Sequence, residues 1–322
     1  MPLDRFMGLC LGHPQHGYYM TRDPFGAAGD FTTSPEISQV FGEMLGVWCV
    51  NAWTSLGSPS PFALVELGPG RGTLMADLLR AAKASTEFML AVEIHMVEMS
   101  PVLQKLQREK LDAHITWHAS IDTLPNMPTL FVANEFFDAL PVKQYEIRES
   151  KSYERYVGIS DGKLKMGLVP SLPREGEDGI YEVSPISLII AEEIQERLDA
   201  CGGAALIVDY GHVQSSAGDT LQAMRSHEFC SIFDAPGEAD ITAHVDFARL
   251  SASPVLTQGK FLKAMGIEMR IEKLSAKLKG VARENFLAAT HRLIADDQMG
   301  ELFKVMCVVQ KWAPQIYPFE AK

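Results

Sequence analysis

The chain has 322 residues, 47% of them hydrophobic and 22% charged, which is enough apolar material for two compact units or one large domain with insertions and excludes a disordered or collagen-like polypeptide. Its 41 acidic residues against 29 basic ones leave a formal charge of −12, a field that repels nucleic acid and anionic membrane surfaces and favours a cationic partner. Five scattered cysteines without a C-x-x-C spacing offer neither a disulfide framework nor a zinc knuckle and read as reduced thiols. No apolar run approaches the ~20 residues of a membrane span and MPLDRFMGLCLG has no signal-peptide core, so the expectation is a cytoplasmic chain without membrane insertion.

In chain order, residues 1–60 read as a loop and helix that cover a site. GYYMTRDPFGAAGDFTTSPEISQVFGEMLGVW carries Tyr18, Tyr19, Asp30, Phe31, Thr32 and Thr33 in its loop, a mixture of aromatic and hydrogen-bonding groups suited to covering a cofactor or clasping a peptide. Ser34 is the expected helix cap, Pro35 the first-turn residue, and Phe41, Leu45 and Trp48 the inward face. Residues 61–141 form the first half of a binding domain. A buried strand over 63–67 leads through a glycine turn into a helix with Leu74, Leu78 and Leu79 on one side; a second strand ends in IHMVEMS before a helix opened by Pro101 and carrying Leu103, Leu106 and Leu111; HITWHAS and TLFVANEFF are further strands.

Residues 142–184 are short, β-rich and turn-punctuated, as at Asp161-Gly162, and read as a β-hairpin insertion. Residues 185–322 complete the domain with the helix SLIIAEEIQERLDA, the strand AALIVDYG, helices near 258–266 and 280–295, and a final antiparallel edge strand in LFKVMCVVQKW. Strands alternating with helices predict an α/β fold, a mostly parallel sheet with helices on both faces, whose ligands gather beyond the carboxyl ends of the strands.

In VELGPGRGT the glycines are Gly68, Gly70 and Gly72; position 73 is Thr, so the dinucleotide pattern G-x-G-x-x-G fails. Glycines between strand and helix let a ligand approach the backbone, where free helix-terminal N–H groups are available. Glu98 ends the second strand, where a carboxylate accepts from both ribose hydroxyls or simply sits in solvent. A G-x-G-x-G turn followed by an acidic strand end is the arrangement of class I S-adenosylmethionine-dependent methyltransferases. Asp122, beside Ile121, is the candidate acceptor for the adenine amine, with a surface turn as the alternative.

NEFFDALPV follows the fourth strand and supplies Asn134, Glu135 and Asp138. Methyl transfer is an in-line displacement that rewards holding nucleophile and methyl carbon about 3–3.5 Å apart. A guanidinium acceptor, with its pKa above ~12, needs carboxylates that orient it and disperse its charge, and Glu135 and Asp138 are the candidates; a helix cap with an aromatic anchor is the plainer explanation. The pairs His13/His16 and His114/His118 lack a third ligand, so no metal is expected. DYGH and ADITAHVDF, with Asp209, Asp240, His244 and Asp246, offer a general base or substrate contacts as readily as ordinary loop roles.

Taken together, GYYM, GDFTTSPEISQVFGE, LVELGPGRGTLMADLLR, NEFFDALPV, GGAALIVDYGH, PGEADITAHVDF and TQGKFLKAMGI resemble the MidA family of methyltransferases, over about residues 17–270. The resemblance implies a class I methyltransferase that uses S-adenosyl-L-methionine to methylate an arginine on an iron–sulfur-protein subunit of respiratory complex I and so assists its assembly. It implies Gly68, Gly70, Gly72 and Glu98 at the cofactor, Asp30, Thr32, Thr33 and Ser34 closing the site, and Glu135 facing the guanidinium. A small amine or carboxylate acceptor, and a non-catalytic cofactor-binding assembly chaperone, are the alternatives. The absence of a transit peptide favours a bacterial cytoplasmic member over a processed protein of the mitochondrial matrix. The join around 251–256 is shorter than the family's usual connection, and the chain begins late relative to the family.

Overall fold

The computed structural model describes residues 1–24, 32–313 and 315–319. Four helices open the chain: α1 (Leu3–Gly12), α2 (Tyr18–Thr21), α3 (Ser34–Ile37) and α4 (Gln39–Ser55). The chain then runs β1 (Phe62–Leu67), α5 (Thr73–Ala82), α6 (Thr86–Ala91), β2 (Val92–Val97), α7 (Pro101–Lys110), β3 (Ile115–His118) and β4 (Thr129–Asn134). Residues 143–183 hold β5 (Lys143–Arg148), β6 (Lys151–Ser160), β7 (Lys163–Pro170) and β8 (Gly179–Val183), followed by α8 (Pro185–Cys201) and β9 (Gly203–His212). The remainder comprises β10 (Gln222–Arg225), β11 (Glu228–Cys230), β12 (Asp240–Thr242), β13 (Val245–Asp246), α9 (Phe247–Leu250), β14 (Val255–Thr257), α10 (Gln258–Ala264), α11 (Ile267–Ser275), α12 (Gly280–Ile294), α13 (Met299–Leu302) and β15 (Phe303–Val309).

The central sheet has the order β14-β15-β9-β4-β1-β2-β3. Its pairs β1/β2, β2/β3, β1/β4 and β4/β9 are parallel, while β15 runs antiparallel to β9. The fold is therefore the expected α/β one. β15 is not the edge, however: β14 pairs antiparallel outside it. Three residues, Val255, Leu256 and Thr257, carry too little periodicity to be read as a strand.

Side chains alternate across the sheet with the two-residue period of a strand. Phe62, Leu64, Leu130, Val132, Leu206 and Val208 pack with α4 and α5 on one face; Ala63, Val65, Phe131, Ala133, Ala205 and Ile207 pack with α8 on the other. A third core joins Leu3, Phe6 and Met7 of α1 to Val142, Val157, Ala223 and Ile241. The segment after residue 142 is a four-stranded antiparallel sheet, β7-β6-β5-β8, and a second small sheet, β11-β10-β12, lies further along; the local pattern identified only hairpin texture in the first and no sheet in the second.

The start of the long helix also differs from expectation. Ser34 is the first residue of the short α3 and caps nothing; the chain turns again at Ser38, whose Oγ accepts the Val40 N–H and caps α4. S-P-E resembled a helix start because Pro fits a first turn, but the one-turn helix it begins stops four residues on.

α4 and α5 approach closely through glycine. A Cβ on Gly42 would lie 2.6 Å from Asp77 Cβ, and one on Gly46 would lie 2.5 Å from the Leu78 carbonyl oxygen. Glu43, between them and 3% exposed, receives Arg270 Nε and Nη2 at 2.7 and 2.9 Å and Arg80 Nη2 at 3.2 Å, tying α4 to α5 and α11. Gly46→Ala forces these helices apart and is expected to lower the unfolding free energy by about 1–3 kcal/mol. A urea midpoint equal to that of the unchanged chain would contradict this packing.

Candidate active site

The strand order reverses between β1 and β4, and the carboxyl ends of the two strands at such a reversal are the position at which open α/β sheets bind ligands. The glycine turn leaves β1 at this position. Gly68, Gly70 and Gly72 have φ of 62°, 51° and 76°, a region that costs other residues about 1–2 kcal/mol. The turn closes through Gly72 N–H to the Pro69 carbonyl at 2.7 Å and delivers the chain into α5 without a capping side chain.

Glu98, directly after β2, faces this turn. Its Oε1 accepts the Ser100 N–H at 2.7 Å and its Oε2 the Gln107 amide at 3.3 Å; burial raises its pKa to about 7. Gln107 is fully buried and also donates to the Gly70 carbonyl at 2.7 Å, while accepting from the Trp117 indole at 2.7 Å. Sequence reasoning missed Gln107, since a glutamine three residues before a helix end looks like a solvated position; its spacing of four from Leu103 and Leu111, both buried, was the available signal. Beneath the turn, Glu66 of β1 is 3% exposed and has an Oε2 without a partner, and burial followed by the proximity of Glu98 raises its pKa well above the ordinary carboxylate value.

The segment after β4 meets the glycine turn through Phe136, which lies against Gly68, and carries the second half of the site. Glu135 adopts φ 50°, a left-handed conformation rare outside glycine and concentrated at functional sites. Its Oε1 accepts the Ser34 N–H at 2.8 Å and the Asn134 amide at 3.2 Å. Asp209, within β9 and fully buried, directs one oxygen, Oδ2, at three successive backbone N–H groups, those of Phe136, Phe137 and Asp138, at 3.2, 3.0 and 3.2 Å. Asp138 accepts the Tyr210 hydroxyl at 2.6 Å on Oδ2, while its Oδ1 is buried without a partner, as are Asn134 Oδ1 and Ser34 Oγ. Nearby, Tyr19 of α2 donates to Asp240 of β12 at 2.7 Å.

Desolvation dominates the electrostatics here. It raises Glu135 to about 7, with Asp138 as the next charge pushing in the same direction, and raises Asp138 to about 6 against the opposing Tyr210 hydrogen bond. Asp209 is raised well above its ordinary value by burial and then by Asp138 and Glu135. Among the described residues no lysine or arginine forms an ion pair with any of the three. A buried, cation-free carboxylate cluster of this kind is stable only when partly protonated or when a cation enters.

The remaining candidates fall as follows. Thr33 is buried and precedes α3, Thr32 is half-buried, and Ser34 reaches Glu135 through its backbone; Asp30, with Phe31, lies outside the described residues. Asp122 is exposed and receives the Ser120 hydroxyl. His13 stacks on His16, and His118 pairs with His95 of β2 at 2.9 Å rather than with the exposed His114. Among the described residues, no three metal-ligating side chains converge and no helix is long and apolar enough to cross a membrane.

The glycine turn at the reversal of a parallel sheet and the carboxylate after the neighbouring strand define a class I methyltransferase. Residues 44–263 match the S-adenosyl-L-methionine-dependent methyltransferase family of MidA-like proteins, and the chain belongs to that family; its cofactor is S-adenosyl-L-methionine. It is similar to the mitochondrial protein arginine methyltransferase NDUFAF7 of Xenopus tropicalis, at 35% identity over 95% of this chain and 82% of the relative, and to that of Homo sapiens, at 35% over 94% and 79%. It also resembles a COG1565 superfamily member from Burkholderia thailandensis whose crystal structure holds S-adenosyl-homocysteine, with 27% identity, a TM-score of 0.81, and coverage of 95% of this chain and 87% of that one.

The raised carboxyls give stability a pH dependence of known sign. Glu135 keeps its proton in the folded state up to about pH 7, whereas an unfolded Glu loses it near 4.5, so its contribution is complete below 4.5 and is lost as the pH rises to 7. Glu135→Gln is therefore expected to flatten the fall in Tm over that window. An identical pH profile for both chains would contradict the burial of this carboxyl.

Proposed function

We propose that this methyltransferase acts on an arginine of a protein, with a respiratory complex I subunit as client, and that Asn134, Glu135 and Asp138 form the acceptor side of its site. The observation that carries this reading is the cation-free group of buried carboxyls at the end of β4, beside the glycine turn. A guanidinium presents five donors in a plane and binds carboxylates through paired hydrogen bonds. The names of the relatives support the same acceptor and place those proteins in mitochondria. They favour a mitochondrial setting over the bacterial cytoplasm.

In this reading the backbone of Gly68, Gly70 and Gly72 lines the cofactor and Glu98 accepts from its ribose. The turn supports this reading: its three glycines hold left-handed backbone, Gly68 lies against the Phe136 ring and Gly72 against Leu111, and Gln107 fixes both the turn and the Glu98 carboxyl. Thr32, Thr33 and Ser34, together with Asp30, are proposed to close the site, and Asp122 to meet the adenine edge. S-Adenosyl-L-methionine supplies an electrophilic methyl on a sulfonium. The chain supplies position and charge. Glu135, fixed through Oε1 by Ser34 and Asn134, offers Oε2 to the guanidinium; Asp138 Oδ1, buried and unpartnered, is placed to hold the proton that the nucleophilic nitrogen gives up. Carboxyls near 6 and 7 are suited to taking a proton at neutral pH.

The direct test is to incubate the chain with isotopically labelled S-adenosyl-L-methionine and complex I subunits and to locate added mass by peptide mass spectrometry. Label on arginine is the expected result; label only on small amines or carboxylates, or none at saturating cofactor, would overturn the reading. Glu135→Gln is expected to lower kcat/KM by about 10–100-fold while leaving cofactor affinity intact, the loss of one charge-assisted hydrogen bond. Gly70→Val should weaken cofactor binding by about tenfold or more, because valine strains the left-handed backbone. Calorimetry that finds the opposite assignment of effects would contradict the two-sided site.

For the wild-type chain, kcat/KM on an arginine acceptor should rise as the pH increases through about 6 and 7, because ionised carboxylates bind the guanidinium and accept its proton. A rate that falls across this interval would exclude the roles given to Glu135 and Asp138.

A further inference from the structure

A second concavity adjoins the carboxylate cluster on its other side. It has a volume of about 270 Å³ and lies between β8 of the four-stranded sheet, the carboxyl end of β9, β13 and the start of α8. Phe137, Val142, Val183, Leu188, Val245 and Leu250 give it an apolar floor. His212, His244, Ser184, Thr220 and Asp246 give it a polar rim. None of these rim residues takes part in the methyl-transfer roles described above.

Three links connect this cavity to the acceptor carboxyls. Phe137 immediately precedes Asp138, and its own N–H is held by Asp209 at 3.0 Å. Ala243 lines the cavity and donates its N–H to the Asp138 carbonyl at 3.0 Å. His244 meets the Tyr210 ring edge-on at 5.5 Å, and Tyr210 donates to Asp138. The cavity is thus one residue layer from the position proposed for the guanidinium, within the reach of a few residues of extended chain at about 3.3 Å each.

Size and chemistry restrict the occupant. Small-molecule sites usually enclose roughly 300–1,000 Å³, so this space suits one side chain better than a cofactor. Asp246 Oδ2 accepts from Ser215 at 2.6 Å and from Arg249 at 3.1 Å, while its buried Oδ1 has no partner, and Glu182 accepts from Gln144 at 2.7 Å and from Thr220. The His244 ring nitrogens have no hydrogen-bond partner among the described residues, and burial lowers the pKa of this imidazole. An imidazole with open ring nitrogens above an apolar floor matches an apolar body with a hydrogen-bonding tip.

Building on the arginine reading, we propose that this cavity is a specificity pocket for the client, taking the side chain of a tyrosine or tryptophan close in sequence to the methylated arginine. The ring lies on Phe137 and Val142, and its hydroxyl or indole N–H meets His244. Tyr and Trp combine a large apolar surface with one polar atom and lose little rotamer freedom on binding. The pocket fixes which arginines are modified, while the carboxylates beyond it act on any guanidinium delivered to them.

The test uses the full chain and a synthetic peptide series with one central arginine, in which a tyrosine, a tryptophan or an alanine is walked along the flanking positions. One aromatic position is expected to lower KM by about tenfold relative to alanine, as one buried ring with a satisfied polar atom would. Ser216→Trp, an exposed loop residue at the cavity wall, should abolish that preference, while kcat at saturating peptide, cofactor affinity and turnover of a minimal arginine amide remain unchanged. Arginine methylation with no aromatic preference, or a preference that survives Ser216→Trp, would overturn the pocket and leave the arginine reading standing. No arginine methylation by the wild-type chain on any peptide or subunit would remove that reading, and the pocket with it.

Discussion

One carboxylate oxygen organises the segment after β4, the proposed acceptor side of the site. Asp209 Oδ2 collects the N–H groups of Phe136, Phe137 and Asp138, the first three backbone donors after the left-handed Glu135. A chain leaving a buried strand at a sharp bend exposes such donors in a place that water reaches poorly, and each would cost of the order of 1–3 kcal/mol if left unpaired. Asp209 satisfies all three from a neighbouring strand whose register with β4 pairs Asn134 with Val208. The bend, and with it the placement of Glu135 and Asp138, depends on that parallel pairing.

This arrangement concentrates negative charge. Holding the bend with a carboxylate, rather than with a hydroxyl or an amide, puts Asp209 beside two further acids; burial and then Asp138 and Glu135 push the Asp209 pKa upward, and Asp138 adds to the burial that raises Glu135. In the proposed function a cationic ligand relieves that repulsion, the stability-for-function exchange common at active sites. The overall charge of −12 extends the same preference to longer range. Around the glycine turn, charge is less important than shape: three glycines, a buried glutamine and a half-buried glutamate set out a narrow, fixed surface.

The sequence makes the frame legible because its elements are strongly periodic. Ala63, Val65 and Leu67 alternate with Phe62 and Leu64 in a short strand, Leu74, Leu78 and Leu79 recur at helical spacing, and three close glycines lie between them, so strand, turn and helix can all be placed. Elements fixed by long-range contact are not. β14 is three residues long and exists because β15 offers it an edge; β10 and β12 meet across fifteen intervening positions. Glu135 and Asp138 were visible as acids at a strand end, but Asp209 looked like any acid after a strand, since its partners are about seventy residues away. Gln107 was hidden by its polarity. Its burial follows from three simultaneous partners on separate elements, which local sequence does not encode.

The central physical claim is that the carboxyls beyond β4 are partly protonated in the ligand-free chain and ionise when a guanidinium enters. Calorimetry of an arginine peptide binding to the cofactor-loaded chain at about pH 6.5, repeated in buffers of different ionisation enthalpy, measures that directly, because the apparent heat varies with the number of protons exchanged. The account requires net proton release on binding, reduced in Glu135→Gln. Binding of the peptide with no proton release, or with proton uptake, would contradict it.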